Sequence, residues 1–407
     1  MNYLNSKTFC ASAWFSVRND NTEQLSPCCA IDCTKTAFTN KSVYTLSETT
    51  NAWHNSEYMQ HLRKELATGV FPPECSSCKN NEENNLKSIR TSSNKSIANN
   101  QLGIDFKESW LKLYFMNKVN YKSDLLVSID AMISNFCNYE CVMCNPLDSS
   151  KIKSNWSKNK DHTAIQPILK QNPLYLDNST QLIKNINAID HFHAIIKKHP
   201  ITFLHIRGGE PFIDKHLMDL IKQLPDNKKK KIRLLFNTNA SVDLTNHIKQ
   251  LNGFKDIIII ASLDAIGSYA EYVRKNCVWK ETESFIDDAM ATTSAIIKVH
   301  CTVHALNIVW LHQLEHWCKD RNLEMSFEFV SNPDVLTLEA VPPDVLEYAS
   351  QLIQNQGIKA RIKKVVFDRN LHKQLLEYID FYDLTSTTTF NKLLNKKGDI
   401  IPSFKIN

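Results

Sequence analysis

The chain has 407 residues, 12 of them cysteine but only 8 glycine, where ordinary usage of about 7% would give roughly 28 glycines. Its formal net charge of +5 is mild for this size, and a hydrophobic content of 43% excludes disordered and fibrous classes and gives no indication of a nucleic-acid partner. The longest purely apolar run, at 257–261, falls far short of the roughly 20 residues a membrane span needs, and the polar first 30 residues lack a secretory core, so the expectation is a cytoplasmic chain with reduced thiols and no membrane partner.

In chain order, 10–16 and 24–29 predict a short hairpin, and 51–68 predicts a helix through Trp53, Met59, Leu62 and Leu66. The polar stretch 82–100 reads as linker. From 125 onward short apolar runs alternate with helix-length amphipathic stretches, the pattern of βα units around a parallel sheet. Strands are predicted at 125–133, 203–206, 232–236, 256–263, 297–303 and 325–330, and helices at 185–198, 215–224, 244–251, 281–295 and 311–321. The fold class is α/β, an open sheet or partial barrel. The polar segment 149–180 reads as an insertion or lid after the first of these strands. Beyond 331 the prolines at 333, 342 and 343 break the alternation, and helices are predicted at 343–354 and 371–378. The expected organisation is a cysteine-rich region at 1–90, a linker at 91–124, the α/β unit at 125–330 and a helical extension at 331–407. The basic run 228–231 reads as a solvated loop before a strand.

Nine of the twelve cysteines precede residue 145. Cys137, Cys141 and Cys144 follow the first α/β strand on one short segment. Three thiolates so placed can hold three irons of a 4Fe-4S cluster and leave the fourth iron open, as catalytic metal sites leave a position open. His162 is a candidate fourth ligand, which would close the site in the manner of zinc. The segment Asn135-Phe136-Cys137-Asn138-Tyr139-Glu140-Cys141-Val142-Met143-Cys144 resembles the signature of radical S-adenosylmethionine enzymes. The resemblance covers about 125–330 and implies a partial (β/α)6 barrel. Met143 stands where many members carry an aromatic residue that covers the cluster, a task a bulky polarisable thioether can also perform.

A quarter of the glycines are spent on Arg207-Gly208-Gly209-Glu210-Pro211, after the second strand. Paired glycines let backbone approach a ligand, and the adjacent Glu can accept hydrogen bonds from an ammonium group; a tight turn with an exposed Glu is the plainer reading. Polar groups also end the next strands, at Asn237-Thr238-Asn239, Ser262-Leu263-Asp264 with Arg274, and His304 with Asn307. Ligands in such sheets sit at the carboxyl ends of the strands. The resemblance implies that Gly208, Gly209 and Glu210 bind the amino group of S-adenosylmethionine, that Ser262 and Asn239 contact its ribose, and that Arg274 contacts its carboxylate. Asp264 and Asn307 rank below these.

Cys10, Cys28, Cys29, Cys33, Cys75 and Cys78 form a second group. Two thiols from a hairpin and two from the Cys75-to-Cys78 CxxC make a four-thiolate site suited equally to zinc or to a cluster. Beside a radical S-adenosylmethionine core this region resembles the twitch or SPASM-type auxiliary-cluster domain, here ahead of the core. The resemblance implies one auxiliary 4Fe-4S cluster on Cys10, Cys28, Cys75 and Cys78, with Cys29 the rival to Cys28 and Cys33 a bystander. Cys277, Cys301 and Cys318 are isolated and read as core, and the helical spacing of Trp310, His312, His316 and Trp317 reads as packing.

The function the resemblance implies is reductive cleavage of S-adenosylmethionine to a 5′-deoxyadenosyl radical that abstracts a substrate hydrogen. An electron donor such as flavodoxin or ferredoxin is its partner, and the substrate is a peptide modified oxidatively or a sugar-like small molecule dehydrogenated or epimerised. The contrasting class is a zinc-ribbon binding module carrying a degenerate barrel.

Overall fold

The structure is a computed structural model that describes residues 7–19, 25–31, 53–83, 87–98, 121–123, 125–132, 134–177 and 193–395, with 402 and 404. Its centre is a sheet of mostly parallel strands: β1 (Ser16–Asn19), β2 (Leu25–Ser26), β3 (Ser128–Met132), β5 (Phe203–Arg207), β6 (Arg233–Thr238), β7 (Asp256–Ser262), β9 (Ile296–Val303) and β10 (Glu324–Phe329), in the order β10-β9-β7-β6-β5-β3-β1-β2. A separate two-residue ribbon joins β4 (Glu140–Cys141) antiparallel to β8 (Arg274–Lys275).

All six strands expected from 125 onward form, with bounds within three residues of those predicted, and each neighbours the next expected one. Their β-branched and aromatic runs suit a surface covered by helices. Ile129, Ala131, Leu204, Ile206, Leu234, Phe236, Ile259 and Ala261 are buried on one face. The intervening helices present periodic apolar residues to that face: Lys215–Lys222 buries Leu217, Met218, Leu220 and Ile221, and Leu311–Asp320 buries Leu311, Leu314 and Trp317. Asp214 and Asp243 start two of these helices by accepting the amide hydrogens of Leu217 and Asn246. Among the described residues no helix is long and apolar enough to cross a membrane.

The opposite face carries Arg18, Asp130 and His205 in one register row, with Arg207 and Asn237 one row higher. This face is concave. β2 and β10 are opposite edges of the sheet, yet the Cys29 thiol, just past β2, lies in the electrostatic reach of both Asp130 on β3 and Glu328 on β10.

The N-terminal region departs from expectation in two places. Residues Ala11–Phe15 are helical, and the hairpin strands begin at Ser16 and Leu25, because Ala11, Ala13, Trp14 and Phe15 bury on every side and β1 finds a parallel partner in β3. The cysteine-rich region thus shares the main sheet. The expected linker at 82–100 contains the helix Ile89–Ala98, tied down by Arg90 and Asn94, which both donate to the Phe9 carbonyl at 2.8 Å. Of the helix expected at 185–198 only 193–198 lies within the described residues and is helical; Cys33 lies outside them.

Candidate active site

Four loops meet at the carboxyl edge of the sheet. The first leaves β3 and carries Cys137, Cys141 and Cys144. It is fixed to the glycine segment after β5, where Gly209 N–H donates to Ser134 O at 3.0 Å and Glu210 N–H to Phe136 O at 2.8 Å. A Cβ on Gly208 would overlap the Ser134 carbonyl, and one on Gly209 the Phe136 carbonyl. The glycines therefore allow a close approach between two stretches of the chain itself, the glycine turn and the cysteine loop. Gly208 also adopts a φ of +143°, which L side chains rarely tolerate.

The three thiols form one electrostatic group, with Cys141 in the field of Cys137 and Cys144 in the fields of both. Burial pushes the Cys141 thiol up to about 12, although the Arg274 guanidinium, whose Nη1 lies 3.5 Å from its sulfur, works the other way. Burial also raises Cys137 and Cys144. The set is protonated at neutral pH unless a cation compensates the thiolates. His162 accepts the Ala164 amide hydrogen at Nδ1 and packs its ring 4.8 Å from that of Phe381.

Glu210 is fully enclosed. One carboxylate oxygen accepts from Thr238 Oγ1 at 2.8 Å and Phe212 N at 3.2 Å, and the other from Asn239 N at 2.7 Å. Burial nonetheless raises its pKa to about 7, the hydrogen bonds opposing it. Three of about four acceptor positions are used, leaving one for a donor from outside. Asn239 also donates to Asn138 Oδ1 at 2.9 Å, and Asn138 donates to Ser241 Oγ at 2.9 Å, so an asparagine inside the cysteine motif is bonded to the loop after β6. Nothing in the sequence distinguished Asn138 beforehand, since an asparagine between two cysteines carries no spacing signal of its own.

Arg274 pairs across the β4–β8 ribbon with Cys141 and forms an ion pair with Asp264 at 2.6 Å. Burial disfavours its charge, but Asp264 and then Cys141 outweigh that and hold it firmly protonated. Its Nε is buried with no hydrogen-bond partner among the described residues. Asp264 accepts from Thr302 N as well, and Asn307 donates to the Asp264 and Thr302 carbonyls at 3.0 and 2.9 Å. Asp264 and Asn307 are thus internal braces. Ser262 ends β7 half-buried, in register with His300.

Beneath these loops on the concave face, Asp130 accepts from Arg207 Nε at 2.7 Å and pairs with Arg18 at 3.4 Å, while His205 Nε2 meets Asn237 Oδ1 at 2.9 Å.

Four cysteines of the second group lie within electrostatic reach of one another. Cys10 caps the helix Ala11–Phe15, Cys75 ends the 3₁₀ turn Pro73–Cys75, and Cys78 sits on the helix Ser76–Glu83. Cys10 interacts with Cys78, Cys28 with Cys10 and Cys75, and Cys75 with Cys10 and Cys78. Cys29 faces elsewhere, toward Arg18, Asp130, Arg207 and Glu328. A supporting shell of buried polar groups surrounds this set: Arg63 donates to Ala13 O at 2.7 Å, His54 Nε2 lies 3.0 Å from Trp14 O, and Tyr58 donates to Glu74 at 3.0 Å. In neither group do three His, Cys, Asp or Glu side chains close to single-ion distance among the described residues.

No protein-family model matches the chain, and no curated protein matches it. Among solved structures, native anSMEcpe with bound AdoMet is 14% identical, with a TM-score of 0.38 over 65% of this chain and 68% of that one. SuiB of Streptococcus suis bound to S-adenosylmethionine is 15% identical, with a TM-score of 0.34 over 86% of this chain and 67% of that one. Identities and scores this low assign neither family nor reaction.

Proposed function

We propose that the chain is a radical S-adenosylmethionine enzyme built on a partial (β/α)6 barrel, with an auxiliary cluster in its N-terminal region. The observation that carries this reading is the grouping of Cys137, Cys141 and Cys144 beside Glu210 and Arg274 at the carboxyl edge of the sheet. The donor set suits the group: three buried thiols on one short loop whose ionisation needs a compensating cation. Cys137, Cys141 and Cys144 would hold a 4Fe-4S cluster, which once reduced by an external donor would supply the one electron that reductive cleavage of S-adenosylmethionine requires.

The chain's own residues have separate tasks. Glu210 offers its remaining lone pair to the ammonium group of the cofactor. Its pKa near 7 means that an arriving cation also draws it into the carboxylate form. Arg274 holds the cysteine loop in place and presents Nε toward an anionic group. Asn239 and Ser262 supply polar contacts at the ends of β6 and β7. The half-buried cluster of Arg18, Asp130, His205 and Arg207 floors the concave face on which the substrate rests. Cys10, Cys28, Cys75 and Cys78 would hold an auxiliary cluster, whose one-electron chemistry would suit an oxidative modification of a peptide. Dehydrogenation or epimerisation of a sugar-like molecule is the second substrate reading.

The test is anaerobic reconstitution with iron and sulfide, followed by dithionite and S-adenosylmethionine. The proposal expects a brown protein that releases 5′-deoxyadenosine, and no release from Cys144→Ala. A colourless zinc protein, or equal release from Cys144→Ala, overturns it.

A further inference from the structure

The cysteine loop receives two hydrogen bonds from a helix more than 200 residues away in sequence. Arg369–Asp383 is started by Asp368, whose carboxylate accepts the amide hydrogens of Asn370 and Leu371, and it buries Leu375, Tyr378, Ile379, Phe381 and Tyr382. Tyr378 and Tyr382 are one helical turn apart and so share a face. Tyr378 donates to Val142 O at 3.0 Å and Tyr382 to Glu140 O at 2.7 Å. These are the carbonyls on either side of Cys141. The opposite strand of the ribbon is held by the same helix end: Lys275 Nζ donates to Tyr382 O at 3.1 Å and Thr385 Oγ1 at 2.6 Å, and lies 3.8 Å from the centre of the Tyr382 ring.

The ribbon needs such support. β4 and β8 pair over only two residues, Glu140 with Lys275 and Cys141 with Arg274, and an isolated ribbon of that length is not stable in water. Leucine or phenylalanine at 378 and 382 would bury as much apolar surface. The hydroxyls add direction, because each satisfies a loop carbonyl in only one orientation of the loop.

We propose that Tyr378 and Tyr382 are positioning residues for the cysteine site, setting Cys141 against Arg274, Cys137 and Cys144 from outside the α/β unit. The inference deepens the function proposed above, since a loop held in this way keeps three thiols disposed for one cluster.

The experiment compares the full-length wild type with the double variant Tyr378→Phe/Tyr382→Phe and with Tyr272→Phe. Tyr272 donates to Asp383 at 2.8 Å, so its variant loosens the same helix without touching the loop carbonyls. In the metal-free reduced proteins, iodoacetamide alkylation of Cys141 is followed by mass spectrometry against buried Cys318. In the reconstituted proteins, iron loss to a chelator and the electron paramagnetic resonance spectrum of the reduced cluster are recorded. The double variant should alkylate Cys141 about tenfold faster, the change in opening population that follows loss of two buried hydrogen bonds. It should also lose iron faster and show a broadened spectrum, with Tyr272→Phe close to wild type in all three. Where the double variant fails to fold, Tyr378→Phe and Tyr382→Phe singly should each show about a threefold change in alkylation. Unchanged Cys141 reactivity, or an equal change in Tyr272→Phe, overturns the proposal. A wild type that takes up no iron overturns the cluster reading alone, because alkylation still decides the positioning role.

Discussion

Replacing Glu210 with Gln tests whether the buried carboxylate behaves as its surroundings require. Its pKa is about 7 in the folded chain against 4.5 for an ordinary Glu. The folded state therefore binds more protons than the unfolded state between these values. Stability from this group is fully present below pH 4.5 and is lost as pH rises through 7, by about 3 kcal/mol at 1.36 kcal/mol per unit. Gln cannot titrate. Its amide oxygen can replace only one carboxylate oxygen, so its NH₂ meets either the Asn239 or the Phe212 amide hydrogen, and one peptide donor goes unpaired at about 1–3 kcal/mol. The variant should thus be the less stable protein at pH 5, and the gap should narrow to nothing or reverse by pH 8. Urea unfolding of the metal-free protein, followed by tryptophan fluorescence at pH 5, 6, 7 and 8, gives the difference directly, since other titrating groups cancel between the two proteins. A difference that stays flat across this range refutes the argument, and with it the claim that Glu210 waits partly protonated for a cationic partner.

Other perturbations discriminate the remaining contacts. Gly209→Ala should cost about 1–3 kcal/mol or more in unfolding free energy, because its new methyl group meets a backbone carbonyl that cannot swing away as a side chain would; unfolding within about 0.5 kcal/mol of wild type contradicts this. Arg274→Met strands Asp264 as an uncompensated buried charge and should destabilise by about 3–5 kcal/mol, with Arg274→Met/Asp264→Leu recovering most of the loss in a double-mutant cycle. Cys28→Ala should lower the iron content of the reconstituted protein by the share of the auxiliary cluster, while Cys29→Ala should leave it unchanged, since only Cys28 faces Cys10 and Cys75. The opposite result by iron analysis exchanges the two assignments.

The parts of the fold that were legible in the sequence are those where one local signal decides the outcome. Strands β3, β5, β6, β7, β9 and β10 announce themselves through apolar β-type runs, and their order follows the tendency of consecutive parallel strands to lie side by side. The cysteine spacing and the glycine pair were equally visible, because few structures need so many special residues close together. What escaped was set by tertiary partners. Ala11–Phe15 has the apolar run of a strand, and only the burial of both its sides and the pairing of β1 with β3 decide for a helix. The glycine pair was found because a close approach needs it, and the structure adds that the cysteine loop is one of the things that approaches, which no local signal reveals.

The same limit explains why the C-terminal helix was recognised as a helix and not as part of the site. Tyr378 and Tyr382 have ordinary amphipathic spacing, and a tyrosine on a buried helix face is satisfied by any nearby carbonyl. Their importance rests on which carbonyls those are. Both flank Cys141, and the Lys275 contact reaches the partner strand of the ribbon from the same helix end. Besides the loop after β6, three segments therefore converge on the cysteine loop from distant parts of the chain: the glycine turn through its backbone, the β8 strand through Arg274, and the C-terminal helix through two phenols. The sharpest test of that convergence is deletion of the helix from residue 369 onward. A loop that holds its own conformation would still react slowly with iodoacetamide at Cys141 after the deletion. The three-sided arrangement expects Cys141 to become the fastest-reacting of the three loop thiols, since it alone lies between the two lost hydrogen bonds.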